Sequence, residues 1–146
     1  MKRRAAMTAL AVSTMVAGVL VGGAGSAAAA HQYTDRLVRG ESLGPGEYIT
    51  RWINDYSFYQ LVMQRDGNLV EYKGDVIGDR QVCWAANTQY SGYYAIYQND
   101  GNFVVYPQWS TRAVWSSNSQ WGSGSTVDIN GSGVVYVGTK PITGSC

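Results

Sequence analysis

Two stretches of the chain carry the same five side chains at every second position. Gln64, Asp66, Asn68, Val70 and Tyr72 form Q-x-D-x-N-x-V-x-Y, and Gln98, Asp100, Asn102, Val104 and Tyr106 form it again. The set suits a sugar. A pyranose presents neighbouring hydroxyls that each donate and accept, so it is matched by a carboxylate beside amides that do both. Hydroxyls bonded to an ionised Asp make charge-assisted bonds. The Val can lie against ring carbons, and the Tyr hydroxyl can reach a more distant hydroxyl. One Asp-Gly-Asn turn alone is an ordinary hairpin. Two copies in register, each followed by Trp-x-x-Asn at 84–87 and 115–118, favour the binding reading.

These residues need hairpins to hold them. Residues 61–72 align without gaps on 95–106, and a faded third copy aligns as 125–136, with Asp128, Asn130 and Ser132 in the Gln, Asp and Asn places and Val134 and Tyr136 retained. Its tail Pro141-Ile142-Thr143 stands where a Trp is expected. Three units, at about 37–88, 89–119 and 120–146, indicate a pseudo-threefold β architecture. Asp-Gly between alternating apolar residues predicts tight turns at 65–68 and 99–102. The alternation then puts Leu69, Glu71, Phe103 and Val105 toward the core and the Asn-Val-Tyr faces outward. Glu71 stands where the second copy has Val105, and burying it is costly unless it is paired. Trp84 and Trp115 are expected to help fill a shared core. Past residue 30, Gly, Ser and Asn clusters interrupt every window long enough for a helix. The fold class is all-β.

Composition agrees. Charged residues are 14% of the chain, well under the roughly 25% of an average soluble domain, and 18 Gly and 11 Tyr take up much of the difference. Residues 1–30 read as a secretory signal of bacterial type: Lys2-Arg3-Arg4, an apolar run from Ala9 to Val21, and Ala28-Ala29-Ala30 at the cleavage point. The apolar run is too short to span a bilayer, so no membrane insertion is expected. Without those three basic residues the acids outnumber the bases by about two. A faintly acidic secreted domain at 31–146 lacks the basic footprint that nucleic acid or an anionic membrane demands. Cys83 and Cys146 suit an oxidising compartment and allow one disulfide, within one chain or between two. Within one chain it closes a loop of about 60 residues, worth about 4 kcal/mol in the chain-entropy model.

Other residues offer no catalyst. His31 is the sole His and stands at the expected new N-terminus, so neither a zinc site nor a Cys-His dyad can be assembled. Asp75 and Asp79 read as solvated turn acids, and Ser110, Ser116 and Ser117 have no base beside them. Trp109 and Trp121 are read as partly buried, the alternative being exposed aromatics that stack on glycans or another surface, and the Asn130-Gly131-Ser132 sequon is expected to be unused. Each intact motif supplies one Asp in a separate sheet, which argues against the paired carboxylates of a glycosidase. No enzyme activity, metal or cofactor is expected.

On these motifs the chain resembles the bulb-type, monocot mannose-binding lectin domain, whose signature is the nine-residue pattern above. The opening Arg39-Gly40-Glu41-Ser42-Leu43-Gly44-Pro45-Gly46-Glu47 is similar to that family's first strands, so the resemblance covers about 37–143. It implies a β-prism II fold of three four-stranded antiparallel sheets with one potential mannose site per sheet. By that resemblance Gln64, Asp66, Asn68 and Tyr72 hydrogen-bond mannose with Val70 against the ring, and Gln98, Asp100, Asn102, Tyr106 and Val104 repeat those roles. The third site is expected to be degenerate. Here the chain departs from the family, whose typical plant members place their disulfide inside one repeat: Cys83 and Cys146 are far apart in sequence, and a tie from the C-terminal strand back to the strand of Trp84 is the expectation. A terminal strand exchanged between protomers makes a homodimer an expectation. The resulting reading is a secreted lectin for mannose-containing glycans, about 1 mM or 4 kcal/mol per site, made useful by multivalency. The alternative is the same fold acting as a toxin-like, antibacterial or protein-binding module without significant sugar binding.

Overall fold

The alternating apolar residues build strands throughout, and no helix occurs among the described residues. The computed structural model describes residues 32–33 and 35–146; the expected signal at 1–30 and His31 lie outside them. The strands are β1 (Gln32–Tyr33), β2 (Arg36–Val38), β3 (Ser42–Leu43), β4 (Tyr48–Trp52), β5 (Ser57–Met63), β6 (Leu69–Asp75), β7 (Arg80–Ala85), β8 (Tyr94–Tyr97), β9 (Phe103–Tyr106), β10 (Trp115–Ser116), β11 (Thr126–Ile129), β12 (Val135–Val137) and β13 (Lys140–Pro141).

Three sheets with four antiparallel strands each form a β-prism. The first runs β4-β5-β6-β7, the second β10-β9-β8-β3 and the third β13-β12-β11-β2. One addition departs from the expected pattern: β1 pairs parallel to β4 and makes the first sheet five-stranded. The chain winds round the axis at its start, giving β2 to the third sheet, β3 to the second and β4 to the first. Each of those strands sends one side chain inward, Leu37, Leu43 and Ile49, all fully buried. The sheets therefore cross the borders between sequence repeats.

The inner faces meet in one core. Leu61, Met63 and Leu69 come from the first sheet, Ala95, Tyr97, Phe103 and Val105 from the second, and Val127, Ile129, Val135 and Val137 from the third. Burying each larger apolar side chain contributes about 1.5–3 kcal/mol. Trp84 and Trp115 pack against this core as expected, edge to face at 5.4 Å between ring centres.

Glu71 is inside as the alternation requires, and it is not paired. It is fully buried, faces Trp84 across the ladder, and neither carboxylate oxygen has a hydrogen-bond partner. Burial pushes its pKa up to about 7. The Thr143 hydroxyl pulls weakly the other way, but it donates to the Gly144 carbonyl at 3.3 Å.

Cys83 and Cys146 form a disulfide within the chain, Cα to Cα 5.5 Å. A bulge in the β6–β7 ladder makes the contact. Glu71 faces Trp84 and Tyr72 faces Val82, so Cys83 is the extra residue between them. A bulged residue leaves the regular pleat and can be re-aimed, here onto the chain end.

Candidate sugar-binding faces

The two motifs fold alike. In the first hairpin Gln64 N–H donates to the Asn68 carbonyl at 2.8 Å and Gly67 N–H to the Gln64 carbonyl at 3.0 Å. The second repeats this, Gln98 to Asn102 at 2.8 Å and Gly101 to Gln98 at 2.9 Å. Gly67 and Gly101 have φ of 90° and 88°, the left-handed region where only glycine is unstrained. Gly67 also packs back to back with Gly92, where a Cβ would come within 2.2 Å of the Gly92 carbonyl oxygen.

Each turn aspartate is fixed by its own backbone. Asp66 Oδ1 accepts from Asn68 N–H at 2.9 Å, as Asp100 Oδ1 does from Asn102 N–H, also at 2.9 Å. The other oxygen of each is directed to neither amide. Gln64 Nε2 donates to the Tyr72 hydroxyl at 2.5 Å, and Gln98 Nε2 to the Tyr106 hydroxyl at 2.9 Å. Both hydroxyls keep a hydrogen to give. Gln, Asp, Asn and Tyr thus meet on one outward face of each hairpin.

The valines differ from expectation. Val70 and Val104 lie on the outward side of their strands, yet each is only 2% exposed. The register supplies the reason. Val70 sits opposite Val62, in the row between Asn68 and Tyr72, so the Gln64–Tyr72 bond crosses above it. Gln98 and Tyr106 cover the row of Val104 and Ile96 in the same way.

The two asparagines are not equivalent. Asn68 Oδ1 accepts from Thr88 N–H at 2.9 Å, and its amide donors have no protein acceptor among the described residues. Asn102 is engaged at both ends instead. Its Oδ1 accepts from Ser116 and Ser117 hydroxyls, both at 3.1 Å, and from Ser119 N–H at 3.2 Å, while Nδ2 donates to Ser116 Oγ at 2.9 Å.

The third copy requires a correction. Its turn bonds run from Asn130 N–H to the Val134 carbonyl at 3.0 Å and from Gly133 N–H to the Asn130 carbonyl at 3.2 Å. Asn130 therefore stands in the Gln64 place, two residues from the gapless alignment. Ser132, Val134, Tyr136 and Gly138 then replace Asp66, Asn68, Val70 and Tyr72, and Val134 and Tyr136 do not keep their expected roles. Asp128 is outside the turn, accepting from the Thr126 hydroxyl at 2.5 Å and adding to the negative field about Arg36, which pairs with Asp35. No member of the five-residue set survives on this sheet.

Two further residues flank the sites, Trp121, which the sequence offers as a candidate stacking aromatic, and Tyr90, which carries no signal in the sequence. Tyr90 and Trp121 follow the motif hairpins at matching positions, and each donates its N–H to the carbonyl of the motif aspartate, Asp66 or Asp100, at 2.6 Å. Of the two readings open for Trp121 and Trp109, the exposed one holds and partial burial does not: they are 84% and 89% exposed. A depression of about 320 Å³ near Ser57, Lys73 and Arg80 contains no motif residue. No group of three or more metal-ligating side chains occurs among the described residues.

No protein-family model matches the sequence, and no curated protein matches it either. Solved structures do. Monomeric monocot mannose-binding lectins from Gastrodia elata are 30% identical with a TM-score of 0.57, over 77% of this chain and 96% of theirs. A lectin from Allium sativum is 32% identical with a TM-score of 0.55, over 70% of this chain and 90% of its own. The lectin of Colocasia esculenta, 23% identical with a TM-score of 0.57 over 78% and 95% of the two chains, bears on the fold alone.

Proposed function

Because this chain belongs to the monocot mannose-binding lectin family, and so is a carbohydrate-binding lectin, we propose that it holds mannose or mannose-like residues on two of its three sheets. The sites are Gln64, Asp66, Asn68 and Tyr72 on the first, and Gln98, Asp100, Asn102 and Tyr106 on the second. The observation that carries this is the repeated geometry: an aspartate fixed by the amide two residues on, beside a Gln–Tyr bridge, at two related places.

In each site the aspartate accepts from sugar hydroxyls, the Gln carbonyl and Tyr hydroxyl serve a third, and the valine supports the bridge more than it touches the ring. The third sheet binds no sugar. Nothing in this mechanism breaks a bond or uses a metal, so the lectin is non-enzymatic and works unchanged in EDTA. Residues 1–30 direct secretion, and two sites in each protomer of a homodimer give the avidity that single weak sites lack.

Retention of the protein on immobilised mannose, with release by methyl α-mannoside but not by methyl β-galactoside, is the expected result. Passage through the column, in a protein whose circular dichroism shows folded β structure, contradicts the proposal. One observation favours a protein-docking role instead: Trp52, Ile53, Tyr56, Val76 and Ile77 are all exposed at one end of the first sheet, 40–84%. That reading takes precedence if sugar fails to bind.

A further inference from the structure

Tyr90 and Trp121 are held where aromatic residues are not expected. Their φ angles are 64° and 63°, a left-handed backbone that bulky side chains rarely adopt. The two residues are 93% and 84% exposed, so packing gives the strain no return. A single such residue would mean little. Here two occur at related positions, each bonded through its N–H to the motif aspartate of an intact site. On the third sheet, where the motif is lost, the related position is Cys146, whose N–H bonds the Ser132 carbonyl at 3.0 Å.

We propose that Tyr90 and Trp121 are the outer halves of two extended sites, each stacking on a second sugar ring linked to the mannose that the motif holds. The inference rests on the mannose reading and adds to it two residues, Tyr90 and Trp121, as the platforms for the second ring of an α-linked mannoside. A pyranose has an apolar face of C–H groups, which meets the negative face of an aromatic ring while the hydroxyls at its rim stay in water.

The platforms are held in place before ligand arrives. Arg39 donates to the Gly122 and Gly124 carbonyls at 3.3 and 2.9 Å, on either side of the loop after Trp121, and to Asn99 at 2.7 Å in the turn of the second site. Ser91 Oγ donates to the Thr88 carbonyl at 2.9 Å beside Tyr90, where Gly92 packs on Gly67. Rigid loops of this kind reduce the ordering cost of binding.

The test compares methyl α-mannoside with an α-linked dimannoside by calorimetry, on the full protein and on Tyr90→Gly/Trp121→Gly. Glycine suits the left-handed backbone, so the variant should fold, and a thermal melt checks it. The expected result is a dimannoside preference of about five- to tenfold in the parent. The glycine variant should lose that preference and keep its monosaccharide affinity within about twofold. The swapped pair Tyr90→Trp/Trp121→Tyr should retain the preference. Equal binding of both sugars by the parent, or an undiminished preference in the glycine variant, overturns the extended sites and leaves the mannose reading intact. Binding of neither sugar by the folded parent overturns both.

Discussion

Cys146 stands in the third repeat where Tyr90 stands in the first. Each donates its N–H to the carbonyl of the turn residue in the aspartate place, Ser132 at 3.0 Å and Asp66 at 2.6 Å. The same scaffold position thus carries an exposed ring beside an intact site and a covalent tie where the site is lost. That tie joins the last residue to the bulge in β7, across 63 residues of sequence.

Cys83→Ser/Cys146→Ser should therefore loosen the end of the third sheet first. The chain-entropy model puts the loss near 4 kcal/mol. Chemical denaturation measures it, and hydrogen exchange should show fastest opening at Ile142 and Cys146, whose N–H groups bond Val135 and Ser132. Unchanged stability after removal of the bridge would contradict the assigned role.

Glu71 predicts a pH dependence with a definite sign. Its carboxyl in the folded protein is raised from 4.5 to about 7, chiefly by burial. The folded state therefore keeps a proton that the unfolded chain has released. The associated stability is full below pH about 4.5, declines as pH rises, and is lost above about 7. Glu71→Val copies Val105 and Val137, which hold the related positions. It should flatten this part of the profile and raise stability at pH 8 by about 1–3 kcal/mol, the usual cost of a buried unsatisfied polar group. Thermal melts at pH 5 and pH 8 check it; a slope equal to the parent's would rule out Glu71 as the source.

The two asparagines predict unequal sites. Asn68 has amide donors to offer, whereas Asn102 is engaged with Ser116, Ser117 and Ser119. Asn68→Ala should weaken sugar binding at the first site about tenfold, at a stability cost limited to the one hydrogen bond it accepts, from the Thr88 N–H. Asn102→Ala should lower the melting temperature, since it leaves three buried or half-buried groups without their acceptor. Site-resolved NMR and calorimetric melts separate the two effects.

Much of the fold was legible in the sequence because period-two alternation fixes faces. Leu69, Phe103 and Val105 are buried as that pattern requires, and both Asp-Gly turns form. The same periodicity hid the register of the third copy. A shift of two residues keeps every side chain on its face, so Val135 stays in the core under either alignment, and only the turn bonds at Asn130 distinguish them. The assignment of Leu37, Leu43 and Ile49 to three different sheets depends on long-range closure that no local pattern records. Nor does a sequence announce left-handed backbone at a Tyr or a Trp; the usual signal is glycine, and Tyr90 and Trp121 carry none.

The central claim is that the two motif faces bind mannose, and an amide NMR titration with methyl α-mannoside tests it most directly. The account predicts shifts confined to 64–72, 98–106 and the loops of Tyr90 and Trp121, with none at 130–138. It also predicts their loss in Asp66→Ala/Asp100→Ala. A folded protein that shows no shifts at about 50 mM sugar, far above the ~1 mM affinity expected of such sites, would contradict it.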